Sequence, residues 1–252
     1  MNIPDELLRA LKDAEKIAAL TGAGISKESG IPTFREAQTG LWAQYDPQEL
    51  ATPGAFARDP KLVWEWYTWR RGLVAGGEPN AGHAALAELE SMVPQFTLIT
   101  QNVDGFHRQA GSRNVLELHG DITRTICSRE RTPVEAWEDE EEIPPRCPDC
   151  GSYLRPNVVW FGEGLPQGAL EASSRAAREA DVFFSIGTSA LVYPAAALPM
   201  EARRNGALIV EVNPDETPLT HDARFVLRGA AGEVLPELVA KFKEILGDDH
   251  AS

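Results

Sequence analysis

This 252-residue chain predicts an α/β fold built on a doubly wound, mostly parallel sheet, and three observations carry that expectation. Short apolar runs alternate with longer segments of helical periodicity. Several of the runs end abruptly in glycine, amide, hydroxyl or carboxylate side chains. These polar ends follow the runs on their C-terminal side, the edge of an open α/β sheet where ligands bind.

Taken in chain order, Leu7, Leu8, Leu11 and Ala14 follow helical spacing, so residues 5–15 are predicted as a helix. Lys16 to Leu20 reads as a strand that opens into Thr21-Gly22-Ala23-Gly24-Ile25-Ser26. Residues 36–80, with Pro47, Pro53, Pro60 and the tryptophans Trp42, Trp64, Trp66 and Trp69, read as a helical insert with its own apolar cluster, its main helix over 60–75. A helix over 81–91 precedes the strand Phe96 to Ile99, which ends in Thr100-Gln101-Asn102-Val103-Asp104-Gly105-Phe106-His107. Val115 to Leu118 is the next strand and ends in His119-Gly120.

Residues 121–157 are charged and proline-bearing, with an acidic run from Glu138 to Glu142 and all three cysteines. A segment this polar buries too little apolar surface to order itself, and a bound metal would supply what its core lacks. Strands Val182 to Ile186, Leu208 to Val212 and Phe225 to Leu227 then alternate with helices over 167–180, 195–204 and 233–246. The first two end in Gly187-Thr188-Ser189 and Asn213-Pro214-Asp215. The expected division is a large domain of residues 1–35, 81–120 and 158–252, with 36–80 and 121–157 as inserts.

Composition excludes some partners. The formal charge is −14, from 24 basic against 38 acidic residues, so the surface repels phosphate backbones and anionic lipid, and neither nucleic acid nor a membrane is an expected partner. No apolar run reaches 18 residues, and Met1 to Lys16 alternates charge with leucine instead of forming a signal-peptide core, which predicts a cytoplasmic protein. Three cysteines do not make a disulfide framework; in a reducing compartment Cys147-Pro148-Asp149-Cys150 reads as metal or redox chemistry.

Read one at a time, the motifs leave alternatives open. Gly22-Ala23-Gly24 is either a phosphate loop or a plain tight turn, because Lys27 stands where a dinucleotide fingerprint has its third glycine. The continuation Ser29-Gly30-Ile31-Pro32-Thr33-Phe34-Arg35 is too rich in glycine, proline and hydroxyls for helix interior, which favours the loop. His119 is either structural or an acid–base group near neutral pH. Asn102 and Asp104 are either strand-end caps or ligand contacts. Four such strand ends on one edge weigh more than any one of them.

Together, Gly22-Ala23-Gly24-Ile25-Ser26, Gly30-Ile31-Pro32-Thr33-Phe34-Arg35, Thr100-Gln101-Asn102-Val103-Asp104, His119-Gly120, Cys147-Pro148-Asp149-Cys150, Gly187-Thr188-Ser189 and Val212-Asn213-Pro214 resemble the sirtuins, NAD-dependent protein lysine deacylases. The match runs in the family's order over residues 16–236. It implies a Rossmann-like large domain and a smaller domain made of a helical module and a zinc-ribbon insert.

The resemblance also implies roles. Gly22, Ala23, Gly24 and Ile25 would meet the NAD pyrophosphate, and Pro32, Thr33, Phe34 and Arg35 would form the loop over the nicotinamide ribose. Gln101 and Asn102 would hold the ribose, and Val103 and Asp104 the nicotinamide amide. Gly187, Thr188 and Ser189 would face phosphate and adenosine, and Asn213, Pro214 and Ala231 the adenosine end. Val158-Val159-Trp160-Phe161-Gly162-Glu163 would pair in extended form with the substrate backbone. In sirtuin chemistry the acyl oxygen attacks the ribose carbon that bears nicotinamide. A histidine, here His119 beside Asn102 and Asp104, then takes a proton from a ribose hydroxyl.

The chain departs from the family at the metal. Sirtuins have two C-x-x-C pairs, and the first here reads Cys127-Ser128-Arg129-Glu130. Either Cys127, Glu130, Cys147 and Cys150 make four zinc ligands, or Glu130 faces solvent and the site is weakened; zinc binding is expected from the three thiolates. A subtype signal lies in Tyr67 and Arg70, i and i+3 on one helical face. By themselves they read as an aromatic core stripe beside a solvated arginine. By resemblance, that Y-x-x-R pair marks the branch that removes malonyl and succinyl groups, and Ala51 resembles the small residue that widens its acyl pocket. The rival readings are a deacetylase with weak activity on acidic acyl groups, an NAD(P) oxidoreductase and a silent acyl-lysine or ADP-ribose binding module.

Overall fold

The computed structural model describes residues 3–33, 44–137 and 142–248. In chain order these form α1 (Asp5–Asp13), β1 (Lys16–Thr21), a 3-10 helix (Ala23–Ser29), α2 (Pro47–Leu50), α3 (Pro53–Arg58), α4 (Pro60–Ala75), α5 (Ala81–Met92), β2 (Gln95–Thr100), α6 (Phe106–Gln109) and β3 (Val115–Glu117). There follow β4 (Gly120–Cys127), β5 (Leu154–Val158), α7 (Gln167–Glu179), β6 (Val182–Ile186), α8 (Leu198–Arg204), β7 (Leu208–Val212), β8 (Phe225–Leu227) and α9 (Ala231–Asp248).

Six strands form one sheet in the order β3-β2-β1-β6-β7-β8, every neighbouring pair parallel. Within the sheet this is the doubly wound order, whose direction reverses between β1 and β6. Thr21 pairs with both Thr100 and Ile186, and Ile186 pairs with Val212, so four strands end level with one another. Gly22, Gln101, Gly187 and Asn213 therefore start at a single edge.

Alternation along the strands accounts for the layers. Ile17 and Ala19 join Leu98, Phe184 and Val210 under α1, α5 and α9, where Leu7, Leu11, Leu86, Leu238 and Phe242 cover them. Ala18 and Leu20 point the other way, with Ile99, Phe183 and Ile209, under Ala177 of α7 and Leu198 and Ala202 of α8. Both faces are covered, which is why these strands read as unbroken apolar runs.

The helical segment starts sharply. Thr52 accepts a hydrogen bond from Ala55 N and Asp59 one from Leu62 N, each followed by proline at the first helical position. Its apolar cluster is shared, contrary to expectation. Val63, Trp66 and Tyr67 of α4 pack with Leu50, Ala51 and Phe56, and also with Phe106, Ile122, Val158 and Trp160 from outside the segment. Trp64 faces a different way and covers Cys127, Val134, Cys147 and Leu154. The cysteine segment thus borrows core from α4. Trp42 lies outside the described residues.

β4 and β5 form an antiparallel pair that the sequence reading does not predict as strands. Its register shifts between Asp121 and Thr125, leaving backbone groups without ladder partners. Arg71 of α4 supplies donors, from Nε to Ile122 O at 2.6 Å and from Nη2 to Arg124 O at 2.9 Å. Among the described residues no helix is long and apolar enough to cross a membrane.

Candidate active site

Two strand tips meet backbone to backbone where the strand order reverses. Gly22 N donates to Ile186 O at 3.0 Å and Gly24 N to Gly187 O at 2.9 Å. A Cβ on Gly24 would stand 2.7 Å from Gly187 Cα, and one on Gly187, whose φ is +60°, would stand 2.6 Å from Ile25 N. Only glycine fits at either place, and the result is a backbone-lined cradle. It opens into a cavity of about 670 Å³.

On the β2 side, Asn102 Nδ2 donates to Gly22 O at 3.1 Å and to Ser26 Oγ at 3.0 Å. Ser26 Oγ donates to Asp104 Oδ2 at 2.7 Å, and Phe106 N donates to the other carboxylate oxygen at 3.0 Å. Burial raises the Asp104 pKa, and those two bonds oppose the rise. His119 Nδ1 lies 2.8 Å from Gln101 O. A carbonyl only accepts, so Nδ1 carries the proton and Nε2 presents its lone pair. Burial lowers the His119 pKa, against the Gln101 bond that raises it, and the ring is neutral at pH 7.

Sequence reading overlooks the support behind these groups. Asn80 N donates to His83 Nδ1 at 3.2 Å in a capping box at the start of α5, so His83 Nε2 is the protonated nitrogen and donates toward Ser26 Oγ at 3.4 Å. His107 Nε2 lies 2.9 Å from Thr21 Oγ1. The spacing Asn80-x-x-His83 ahead of a helix was the available signal. Glu211 on β7 is 1% exposed and accepts from Thr217 and Thr220 hydroxyls, fastening the turn after Asn213.

Burial holds His83 at about 4 and His107 at about 3, below their ordinary 6.5. The unfolded chain therefore binds protons first as pH falls, and stability contributed above 6.5 is lost on the way down toward 4. The urea midpoint is expected to drop between about pH 7 and pH 5, and a level profile there would contradict buried neutral imidazoles.

Tyr67 and Arg70 of α4 are 2% and 8% exposed, and both line the cavity together with Ala51. The Tyr67 hydroxyl is itself buried, beside the Trp160 side chain. Burial raises the Tyr67 pKa and lowers that of Arg70, and each group opposes the other's shift. Val159 N donates to His119 O at 2.9 Å and Phe161 N to Ala51 O at 2.8 Å, so the segment after β5 is held between His119 and Ala51.

The cavity wall brings together every described candidate for nucleotide, acid–base and peptide contact except two. Ile25 is fully buried in the core, its N closing the turn on Gly22 O at 3.1 Å, and Val158 packs inward at 6% exposure. Phe34 and Arg35 lie outside the described residues. The Glu163 carboxylate is engaged by Arg155 and by Trp160 N.

The metal candidates divide. The Sγ atoms of Cys127, Cys147 and Cys150 all lie within 4.8 Å of one another. Thiolates around one tetrahedral zinc at about 2.3 Å stand roughly 3.8 Å apart, so the trio fits such an ion, which would serve as a structural tie. Of the two readings of Glu130, the geometry favours the solvent-facing one. Its side chain is exposed and stands outside the cluster, and only its N approaches, 3.4 Å from Cys127 Sγ. A glutamate side chain is two atoms longer than cysteine's, so a turn spaced for thiolate does not bring its carboxylate to the centre. Purified protein is expected to hold near-stoichiometric zinc, and Cys147→Ser is expected to lower the melting temperature more than Glu130→Ala. Elemental analysis and thermal melts check both; zinc loss in Glu130→Ala would restore the carboxylate as a ligand.

Glycines where the strand order reverses, with polar tips to either side, are what a Rossmann-type nucleotide-binding protein presents, and the fold and site assign the chain to that class. Residues 22–194 match the Sir2 family. The chain is 52% identical over 247 residues to an NAD-dependent protein deacylase of Methylococcus capsulatus, covering 95% of this chain and 97% of that one. It is 50% identical to NAD-dependent protein deacylase 1 of Archaeoglobus fulgidus, over 96% and 99% of the two chains. A crystal structure of a Sir2 homolog–NAD complex superposes with TM-score 0.91 at 49% identity, over 97% and 96%. A Sir2 complex with a deacetylated p53 peptide and 3′-O-acetyl ADP-ribose superposes with TM-score 0.84 at 34% identity, over 94% and 97%. The chain belongs to the Sir2 family.

Proposed function

We propose that this protein removes acyl groups from protein lysines with NAD as cosubstrate, acting on succinyl and malonyl groups and also on acetyl. Water, NAD and the acyl-lysine give free lysine, nicotinamide and O-acyl-ADP-ribose. The observation that carries the reading is His119, neutral by burial, with Nδ1 tied to Gln101 and Nε2 left to accept a proton at the rim of a glycine-built crevice. Its neutrality suits a general base acting on a ribose hydroxyl.

In this reading Gly22 to Gly24 and Gly187 to Ser189 take the phosphates, Asn213, Pro214 and Ala231 the adenosine end, and Gln101 to Asp104 the ribose and nicotinamide. Backbone groups of Val159 to Gly162 pair with the acyl-lysine peptide. Residues 36–80 and 121–157 together make the small domain, with zinc in a structural role. The partners are acylated lysines of other proteins, and the free thiols and acidic surface suit a cytoplasmic setting away from nucleic acid.

The acyl preference rests on Tyr67 and Arg70 in the cavity wall. One peptide bearing acetyl-, malonyl- or succinyl-lysine, incubated with and without NAD and weighed by mass spectrometry, tests class and preference together. Loss of the acyl mass only with NAD, accompanied by O-acyl-ADP-ribose, is the expected result; an unchanged peptide in every arm would leave a binding module.

A further inference from the structure

Glu163 closes the turn that follows β5, and its carboxylate is fully occupied. Arg155 Nη1 donates to Oε1 at 2.7 Å and Arg155 Nη2 to Oε2 at 3.0 Å. Trp160 N donates to Oε2 at 2.9 Å, and Arg131 Nη2 donates to Oε1. A carboxylate has about four lone-pair sites, and four donors fill them, so none is left for a substrate amide. Burial alone would raise the Glu163 pKa, but Arg155 and Arg131 outweigh it and hold it at about 2. The turn is tied down further because Arg155 Nη2 also donates to Val158 O at 2.7 Å. Arg155 itself is 2% exposed, with its guanidinium carbon 3.2 Å from the Trp160 ring centroid.

Arg131 reaches this carboxylate from the cysteine turn. Its N donates to Cys127 O at 3.0 Å, and its φ is +60°, the left-handed region that a residue with a Cβ rarely adopts. Such a residue keeps its conformation only where its surroundings hold it. The Cys127 turn holds its backbone, and Glu163 holds its guanidinium. One side chain thus joins the thiol cluster to the segment between His119 and Ala51.

We propose that Glu163 is a positioning residue and not a substrate contact, and that Arg131 makes affinity for an acyl-lysine peptide depend on the folded Cys127 turn. The second half rests on the deacylase reading. Zinc at the cysteine trio, by fixing that turn, strengthens peptide binding without touching the peptide or the nucleotide.

The test compares zinc-loaded wild type with Arg131→Ala and Arg131→Lys, each before and after chelation. Amide hydrogen exchange reads residues 158–163, and fluorescence anisotropy reads the Kd of a succinyl-lysine peptide. Arg131→Ala is expected to speed exchange at Trp160 and Phe161 and to weaken the peptide about two- to fivefold, the worth of a partly exposed ion pair. NAD affinity is expected to stay unchanged, and Arg131→Lys to recover part of the loss. Chelation is expected to bring wild type to the Arg131→Ala level and to weaken Arg131→Ala no further. Exchange and Kd equal to wild type in Arg131→Ala, or equal weakening of both proteins by chelation, would overturn the coupling. Wild type that binds no acyl peptide would instead sink the deacylase reading, while the exchange comparison still decides the link.

Discussion

His119→Ala is expected to lower NAD-dependent deacylation by about 10² to 10⁴-fold, the usual loss when a general base is removed, and to leave fold and NAD binding intact. Among the described residues the side chain makes one hydrogen bond, from Nδ1 to Gln101 O, whereas the backbone carbonyl that receives Val159 N survives the substitution. Removing the ring therefore deletes the proton acceptor without releasing the peptide-side segment. A second readout separates a base from a packing residue. Burial lowers the His119 pKa, so the neutral form persists to lower pH and the acid limb of the wild-type rate profile is expected below the ordinary 6.5. Turnover retained within about tenfold of wild type would sink the assignment.

Arg70→Met is expected to cost about 2 to 5 kcal/mol in the specificity constant for a succinyl-lysine peptide, roughly 30- to several-thousandfold, and to leave acetyl-lysine nearly unchanged. A carboxylate entering the cavity loses its water and needs a fixed cation and a hydroxyl in return. Arg70 offers a planar fork for that group, and Tyr67, one turn earlier on the same helix and also in the cavity wall, carries the hydroxyl. The overall charge of −14 makes a local cation more necessary, since the protein's own field repels an anionic acyl chain. Tyr67 also serves the bland role that helical aromatics usually have. Its ring packs at 4.6 Å from that of Trp66 and stacks with Trp160 at 6.3 Å. Equal specificity constants for succinyl and acetyl peptides in wild type, unchanged in Arg70→Met, would leave only the aromatic stripe.

The sequence by itself determined the six parallel strands, the helices between them and the polar tips at one edge. Those signals are local: apolar runs buried on both faces, helical spacing and glycines after strands need no knowledge of distant residues. Only the tertiary structure decided that β4 and β5 pair, because their alternation is weak and the shifted ladder is completed by Arg71 from another element. It also decided that Trp64 covers the cysteines, that Ser26 is gripped by His83 and Asp104, and that Ile25 and Val158 face inward. Those two partners of Ser26 stand 57 and 78 residues away along the chain, so no periodicity within a segment announces them. Glu130 and Glu163 show the same limit most sharply. Both are glutamates in turns, and the family resemblance offered each to a ligand. The fold leaves Glu130 exposed outside the thiol cluster and surrounds Glu163 with buried donors, because a carboxylate settles where distant arginines and backbone N–H groups can replace its water.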